Sequence, residues 1–327
     1  MAHKNCPHCY CINVNKHGAR NGKQRYQCQD CLTSWTSLSR PERLQARIWH
    51  DYAFECRTVA QLRRIHHKSR VFIKDAIASY QPPIEVDKPR PVTIILDVTY
   101  FGSWGTLVVI DPYAKRTNGE NMALYWTSIE GTERTIDYDV ATDTLEAMGY
   151  TVQAAVIDGR RGVRQMLERK GIPIQQCQFH QLQTITQCLT RRPKLVQNQE
   201  LRAIALTLCR TTQTAFESKL DAWHEQHEDW LKERYLEPAS GRTRYQHDRT
   251  RRAYFSLRRN LPYLFTYQDG ALAARGIKVP NTTNALDGRF GVWKTKLKAH
   301  RGCSRTLKTK ILCSFLSEET DGRKYPN

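Results

Sequence analysis

The chain has 327 residues, a formal charge of +19 and a pI near 9.6. Its length allows about two ordinary domains, and 40% apolar residues with 9% aromatics exclude a mainly disordered chain. Residues 1–6 carry no apolar signal-peptide core and no run approaches the ~18 apolar residues of a membrane span, so an intracellular protein with a polyanionic partner is expected.

Eleven cysteines without a secretory signal point to reduced thiols and metal ligation rather than disulfides. Cys6-Pro-His-Cys9 and Cys28-Gln-Asp-Cys31 form two C-x-x-C pairs with eighteen residues between them. Two thiolates at that spacing fit one tight turn, and two such turns complete a tetrahedral zinc site. Residues 1–38 are therefore expected to form a zinc ribbon around one structural ion held by Cys6, Cys9, Cys28 and Cys31. His8 and Cys11 lie close by but break the symmetry of the two pairs. Between the pairs, Arg20-Asn-Gly-Lys-Gln-Arg-Tyr-Gln27 reads as a hairpin.

The pattern turns helical over 39–80, with Leu44, Ile48 and Tyr52, then Val59, Leu62 and Ile65, on recurring faces. His66-His-Lys-Ser69 reads as a turn, and Ser69 can cap a helix through Val71, Ile73 and Ile77. That layout predicts a helix-turn-helix with Arg70 and Lys74 on the exposed, DNA-reading side, although the turn lacks the usual glycine. An ordinary three-helix bundle with a solvated basic face is the alternative. The proline-rich stretch 81–91 predicts a semi-extended linker and a domain boundary.

Beyond it, strands are expected at 92–101, 106–110 and 122–129, joined as an antiparallel meander through a turn-rich loop at 111–119. A helix at 137–148, a buried strand at 151–157, a helix at 162–170 and a strand at 172–177 complete a mixed α/β order that fits a ribonuclease-H-like sheet. Strand signals then stop, so 181–280 is expected to be all-helical, with Trp223, Trp230, Leu231 and Tyr235 offering an apolar face. Within it, residues 240–260 hold seven arginines against one aspartate, interleaved with Tyr245, Tyr254 and Phe255. Arg249, Arg251 and Arg252 there are candidate DNA contacts, since cations with aromatics track phosphates and stack on bases. A solvated arginine-rich helix fits that stretch equally well.

Thr282-Thr-Asn284 starts a final helix with Leu286, Phe290, Trp293 and Leu297 as its core-facing stripe. Basic residues from Lys298 to Lys310 follow, and 318–327 reads as a tail.

Three aspartates stand out. Asp97 interrupts the apolar run Thr93-Ile-Ile-Leu-Asp-Val98, where a carboxylate is costly unless paired or metal-bound. Asp158 ends the fourth predicted strand, and Asp287 flanks the stripe of the final helix. Two-metal phosphoryl transfer needs such carboxylates converging from separate elements around ions ~4 Å apart, and magnesium prefers oxygen ligands. Asp158 could instead make an Asp-Gly turn, and Asp287 could only complement a helix N-terminus. Glu233 and Glu237 are fallback ligands. Cys177 and His180 read either as half a zinc site with Cys188 or as a hydrogen-bonding pair near the acids. Lys294 and Arg301 are candidate phosphate contacts or solvated cations.

The order zinc ribbon, helix-turn-helix, Ile-Leu-Asp97, Val-Ile-Asp158-Gly, Cys177-Gln-Phe-His180 and Thr282-Thr-Asn-Ala-Leu-Asp287-Gly resembles bacterial insertion-sequence transposases. The branch is the DDE type related to Mutator-like elements, and the similarity covers nearly the whole chain. It implies a ribonuclease-H-like catalytic domain at 92–180 and 281–317, split by the helical insertion. It also implies catalysis by Asp97, Asp158 and Asp287 with two Mg2+ ions. The expected partners are double-stranded DNA, both element ends and target, and a second or further copy of the chain, in the bacterial cytoplasm at the nucleoid, with no membrane. The family's third acid is normally glutamate; Asp287 is one methylene shorter. The alternatives are a zinc-ribbon and helix-turn-helix DNA-binding regulator on an inactive scaffold, or a ribonuclease-H-like nuclease without strand joining.

Overall fold

The computed structural model describes residues 6, 9, 11–36, 40–81, 88–115, 121–239 and 241–317. His8, most of the expected linker and the expected tail lie outside them. The chain divides into two compact units: Met1–Lys88 with Arg116–Glu120 and Gly291–Asn327, and Pro89–Lys115 with Asn121–Phe290. Among the described residues no helix is long and apolar enough to cross a membrane.

The first unit begins with strands β1 (Val14–Arg20), β2 (Lys23–Cys28) and β3 (Ser34–Thr36) in one antiparallel sheet. Asn21 and Gly22 both take positive φ, the backbone that a two-residue hairpin turn demands and that Asn-Gly tolerates best. Helices α1 (Arg40–Ala53), α2 (Val59–His66) and α3 (Arg70–Ser79) follow. Thr58 and Gln61 form a capping box on α2, and Ser69 Oγ accepts from Phe72 N–H at the start of α3. The turn between them does without glycine because His67 itself adopts the left-handed conformation, φ 51°. Ile48, Trp49, Leu62, Ile73 and Ile77 form the apolar centre.

The second unit is α/β, built on a mixed five-stranded sheet. Strands β4 (Pro91–Tyr100), β5 (Trp104–Lys115) and β6 (Asn121–Glu130) form the expected meander. Helix α4 (Thr135–Ala147), β7 (Thr151–Ile157), α5 (Arg161–Arg169) and β8 (Ile174–Gln176) add two parallel strands, giving the order β6-β5-β4-β7-β8. Val92, Ile94 and Leu96 of β4 pack with Tyr138 and Leu145 of α4 and Val163 and Leu167 of α5. On the alternate positions, Ile95 is fully buried and Thr93 Oγ1 donates to Lys278 O at 2.8 Å. Covering both faces is what makes a central strand read as a continuous apolar run. The loop expected from 111 does not start there: β5 runs on to Lys115, with Asp111 Oδ1 accepting from Tyr113 and Ala114 N–H across an irregular register, and residues 116–119 of the expected loop lie outside the described residues.

Helices α6 (Gln178–Leu189), α7 (Val196–Leu206) and α8 (Gln213–Lys232) come next, then β9 (Arg234–Glu237), β10 (Arg242–Tyr245), α9 (Asp248–Leu264) and α10 (Gly270–Ala274). Leu201, Phe216, Trp223, Tyr254 and Leu257 centre a second apolar cluster there. The insertion is thus not all-helical. A two-stranded ribbon interrupts it, and Tyr235 lies exposed on that ribbon rather than on an apolar helix face.

Helix α11 (Asn284–Ala299) buries Leu286, Phe290, Trp293 and Leu297 as the stripe predicts, and α12 (Arg305–Ser317) ends the described chain. The expected assignment of 281–317 to one domain with the sheet needs correction from residue 291 onward, where the chain belongs to the first unit. The reason is packing. Trp49 Nε1 donates to Ser314 Oγ at 2.9 Å, Phe54 meets Phe315 edge-on, Tyr52 lies against His300, and Lys310 Nζ bonds the carbonyls of Ile77 and Ala78.

Candidate active site and metal centre

Asp97 lies on β4 directly opposite Val108 of β5. On its other side β4 pairs with β7, and after a register shift between Val92 and Thr93 the offset is 61, Ile95 with Val156. Carrying that offset two residues further sets Asp158, one residue beyond β7, level with Asp97 on the neighbouring strand, where spacing is about 4.8 Å. Asp97 Oδ1 accepts from Val98 N–H at 2.8 Å. Burial is the main force on this carboxyl and pushes it up to about 7; the Val98 N–H opposes that, while the negative charges of Asp158 and Asp287 add to it. An acid held this way is a poor isolated anion and a good cation ligand.

Asp158 Oδ1 accepts from Arg160 N–H at 3.1 Å, and Arg160 Nε lies 3.7 Å from Oδ2. The next residue, Gly159, has φ +117°, and a Cβ there would come within 2.9 Å of Gln176 Nε2. The positive φ is what calls for glycine at this bend; the glutamine side chain could give way.

Asp287 sits in the first turn of α11, and its Oδ2 accepts from Thr283 Oγ1 at 2.9 Å. Thr283 is fully buried. Its N–H and hydroxyl are both 3.3 Å from Cys177 Sγ, and its Oγ1 is 3.4 Å from His180 Nδ1. Gln178 N–H donates to Asn281 O, so the start of α6 and the approach to α11 are tied together. Burial raises the Cys177 thiol, but hydrogen bonds from His180 and Thr283 outweigh it and bring it below its ordinary value. The Cys177 bond likewise leads in pushing His180 up to about 9, against burial and with help from Asp287 and Asp97. Cys177 and His180 thus both meet Thr283, which holds Asp287.

Among the described residues, one group of three or more His, Cys, Asp or Glu has all its ligand atoms within 4.8 Å: Cys6, Cys9, Cys28 and Cys31. Among those same residues a zinc site joining Cys177, His180 and Cys188 is not formed. Within the four-cysteine group the Cys6–Cys31 and Cys9–Cys28 sulfurs are 3.5 and 3.4 Å apart. A tetrahedron with Zn–S bonds of about 2.3 Å has edges of about 3.8 Å, so the cluster fits a structural metal such as zinc. N–H groups of Asp30 and Cys31, each 3.3 Å from Cys28 Sγ, support a thiolate there. Cys11, outside the group, still reaches Cys28 at 3.1 Å between sulfurs.

Two residues beside the acids, Glu133 and Arg160, escaped the sequence reading. Glu133, before α4, is buried, accepts from Tyr138 OH and is ion-paired to Arg160. Burial raises its carboxyl, Tyr138 and Arg160 lower it, and the Asp158 charge raises it again. Glu133 thereby fixes Arg160, which fixes Asp158. No sequence signal marks Glu133, a lone acid in a turn.

The remaining candidates are dispersed. Arg70 and Lys74 are exposed on α3. Lys294 and Arg301 are exposed and belong to the first unit, whereas the three acids belong to the second. Arg249 donates to Gln187 O, Arg251 to Leu231 O, and Arg252 pairs with Asp248. Glu233 and Glu237 are engaged by His247 and Arg244 on the ribbon, which weakens them as fallback ligands.

No protein-family model matches this sequence, and no curated protein matches it.

Replacing Thr283 by Val, a near-isosteric change, removes the donor to Asp287. If Asp287 ligates a metal, Mg2+ affinity should fall about 10- to 100-fold, as when other partners of metal ligands are lost. Calorimetric Mg2+ titration of the Thr283→Val variant reads this directly; an unchanged affinity would remove Asp287 from the ligand set.

Proposed function

We propose that the chain is a DDE-type transposase, here with an Asp-Asp-Asp set, that cuts insertion-element ends and joins them to target DNA. What supports this reading is that Asp97 on β4 feels the charges of Asp158, at the end of β7, and Asp287, in the first turn of α11, although the oxygens of the three do not all lie within 4.8 Å of one another. Each of the other two acids raises the proton affinity of Asp97. The strand order β6-β5-β4-β7-β8, three antiparallel then two parallel, agrees with a ribonuclease-H-like catalytic domain.

The three carboxylates are hard oxygen donors of the kind Mg2+ takes. Bound there, two Mg2+ ions would supply an activated water or DNA 3′-hydroxyl and a stabilised leaving oxygen. The chain's own residues do the positioning. Thr283 holds Asp287, and the Glu133–Arg160 pair holds Asp158. His180 places positive charge near a site that a phosphodiester must enter. The zinc ribbon and the α2–α3 pair, with Arg70 and Lys74 outward, are read as the modules that recognise element ends, and the charge of +19 suits duplex DNA. Pairing two ends calls for a homodimer or larger assembly at the bacterial nucleoid. A regulator on an idle scaffold has no use for an acid in the middle of β4 with two more acids raising its proton affinity, a cost that valine would avoid.

The test is incubation of the full chain with duplexes bearing the inverted repeats that flank its gene. Mg2+-dependent nicks with 3′-hydroxyls, followed by joined products, are expected. Asp287→Asn should lower cleavage by more than about 100-fold, as expected when an essential electrostatic group is lost, while leaving binding intact. Near-normal cleavage would move the third ligand elsewhere.

A further inference from the structure

We propose that the β9–β10 ribbon is a DNA arm that lies in the major groove of the substrate duplex; this rests on the transposase reading above. Two strands of four residues do not hold together in water by themselves, so a ribbon of this size needs support or a partner. Support is concentrated at its root. Trp230 and His247 stack at 3.5 Å, His247 bonds Glu233 at 2.9 Å, and Gln246 N–H donates to Glu233 O. Arg251 lies 3.7 Å over the Tyr245 ring while donating to Leu231 O, and Arg234 covers the same ring at 4.5 Å. Beyond the root, Tyr235, Leu236, Arg242, Thr243 and Arg244 are all exposed. The fold thus presents a braced ribbon with its outer part bare.

The chemistry of that bare part selects the partner. Between Arg234 and Tyr245 there are three arginines against one acid, Glu237. The register pairs Arg242 with Glu237 and Arg244 with Tyr235, which places both arginines and the tyrosine on one face. Arg242 has no partner among the described residues. A major groove about 12 Å wide admits a two-stranded ribbon, and arginines on its inward face can reach guanine edges or phosphates. The same cations disfavour the competing occupant: a second copy adding its ribbon edge to edge would bring like charges together.

The experiment compares the full wild-type chain with Arg242→Gln/Arg244→Gln on a duplex containing the element end. Affinity is read by fluorescence anisotropy across a salt series, alongside circular dichroism and sedimentation. The wild type should bind. The double variant should keep its spectrum and oligomeric state, lose about tenfold or more in affinity, and show a log–log salt slope smaller by about 2, because each lost phosphate contact contributes about 0.9. Arg242→Gln alone should give about half that slope change; it stands in if loss of the Arg244–Glu237 pair unfolds the arm. Wild-type binding with unchanged slope and affinity in the variants overturns the arm. Loss of self-association with DNA affinity intact overturns it in favour of a copy–copy contact. Absence of wild-type binding overturns the transposase reading itself.

Discussion

Asp97→Asn should abolish Mg2+-dependent cleavage, leave DNA binding intact, and make the metal-free protein more stable at neutral pH. The carboxyl of Asp97 is raised from 3.8 to about 7 in the folded chain, first by burial and then by Asp158 and Asp287. Between those values the native state holds a proton that the unfolded state has lost. Stability therefore falls as pH rises from about 4 to about 7, and levels off above. Asparagine carries no charge and is free of this penalty, so the variant should gain increasingly over wild type across that window, reaching on the order of 4 kcal/mol near pH 7. Magnesium should reverse the ranking, because a cation that binds only the native wild type stabilises it by linkage. Thermal unfolding from pH 4 to 8, with and without Mg2+, reads both effects. Equal Mg2+ stabilisation of the two proteins would sink the assignment. Proton and metal compete for the same oxygen, so the rise of cleavage with pH should move to lower pH as Mg2+ concentration increases.

The second large effect is expected from zinc removal. Along β1 only Val14 is even half-buried, and the tight points of the ribbon module are Cys6 and Cys28. So small a sheet has almost no apolar core, and a metal must supply the folding energy; structural zinc contributes about 10–16 kcal/mol in comparable modules. Chelation, or Cys28→Ser, should open residues 6–36 to protease while the sheet of the second unit survives as a resistant fragment. Undiminished protection of the N-terminal strands in a chelator would rule out a metal-held ribbon.

The four-cysteine cluster and the proposed acid site stand out in the sequence for the same reason: each violates a simple expectation. An acid inside Ile-Ile-Leu-Asp-Val and four cysteines in paired spacing have few bland explanations. The strands β4 and β7 were legible because both faces of the sheet are covered and the sequence is apolar without alternation. The ribbon was not, because Arg-Tyr-Leu-Glu and Arg-Thr-Arg-Tyr are short and solvated, and their pairing depends on braces from α8 and α9. Arg251 illustrates the limit: as a cation in a basic stretch it suggests DNA, while in place it is a brace. The continuation of β5 past Pro112 was hidden because the bulge is made by the Asp111 side chain, and turn chemistry and strand chemistry look alike there. Glu133 and Arg160 were invisible, since the ion pair that joins them links segments on either side of α4 and β7.

The bond from Trp49 to Ser314 spans 265 residues of chain. Helices α1 to α3 emerge from the ribosome well before α12, yet the surface that buries Trp49, Tyr52 and Phe54 includes α12. A nascent or prematurely terminated chain would hold these three rings in water, without the partners that fix the first unit. Synthesis through α12 is thereby coupled to completion of the unit proposed to recognise element ends, so copies truncated before α12 should be cleared as misfolded protein rather than persist as competitors for those ends.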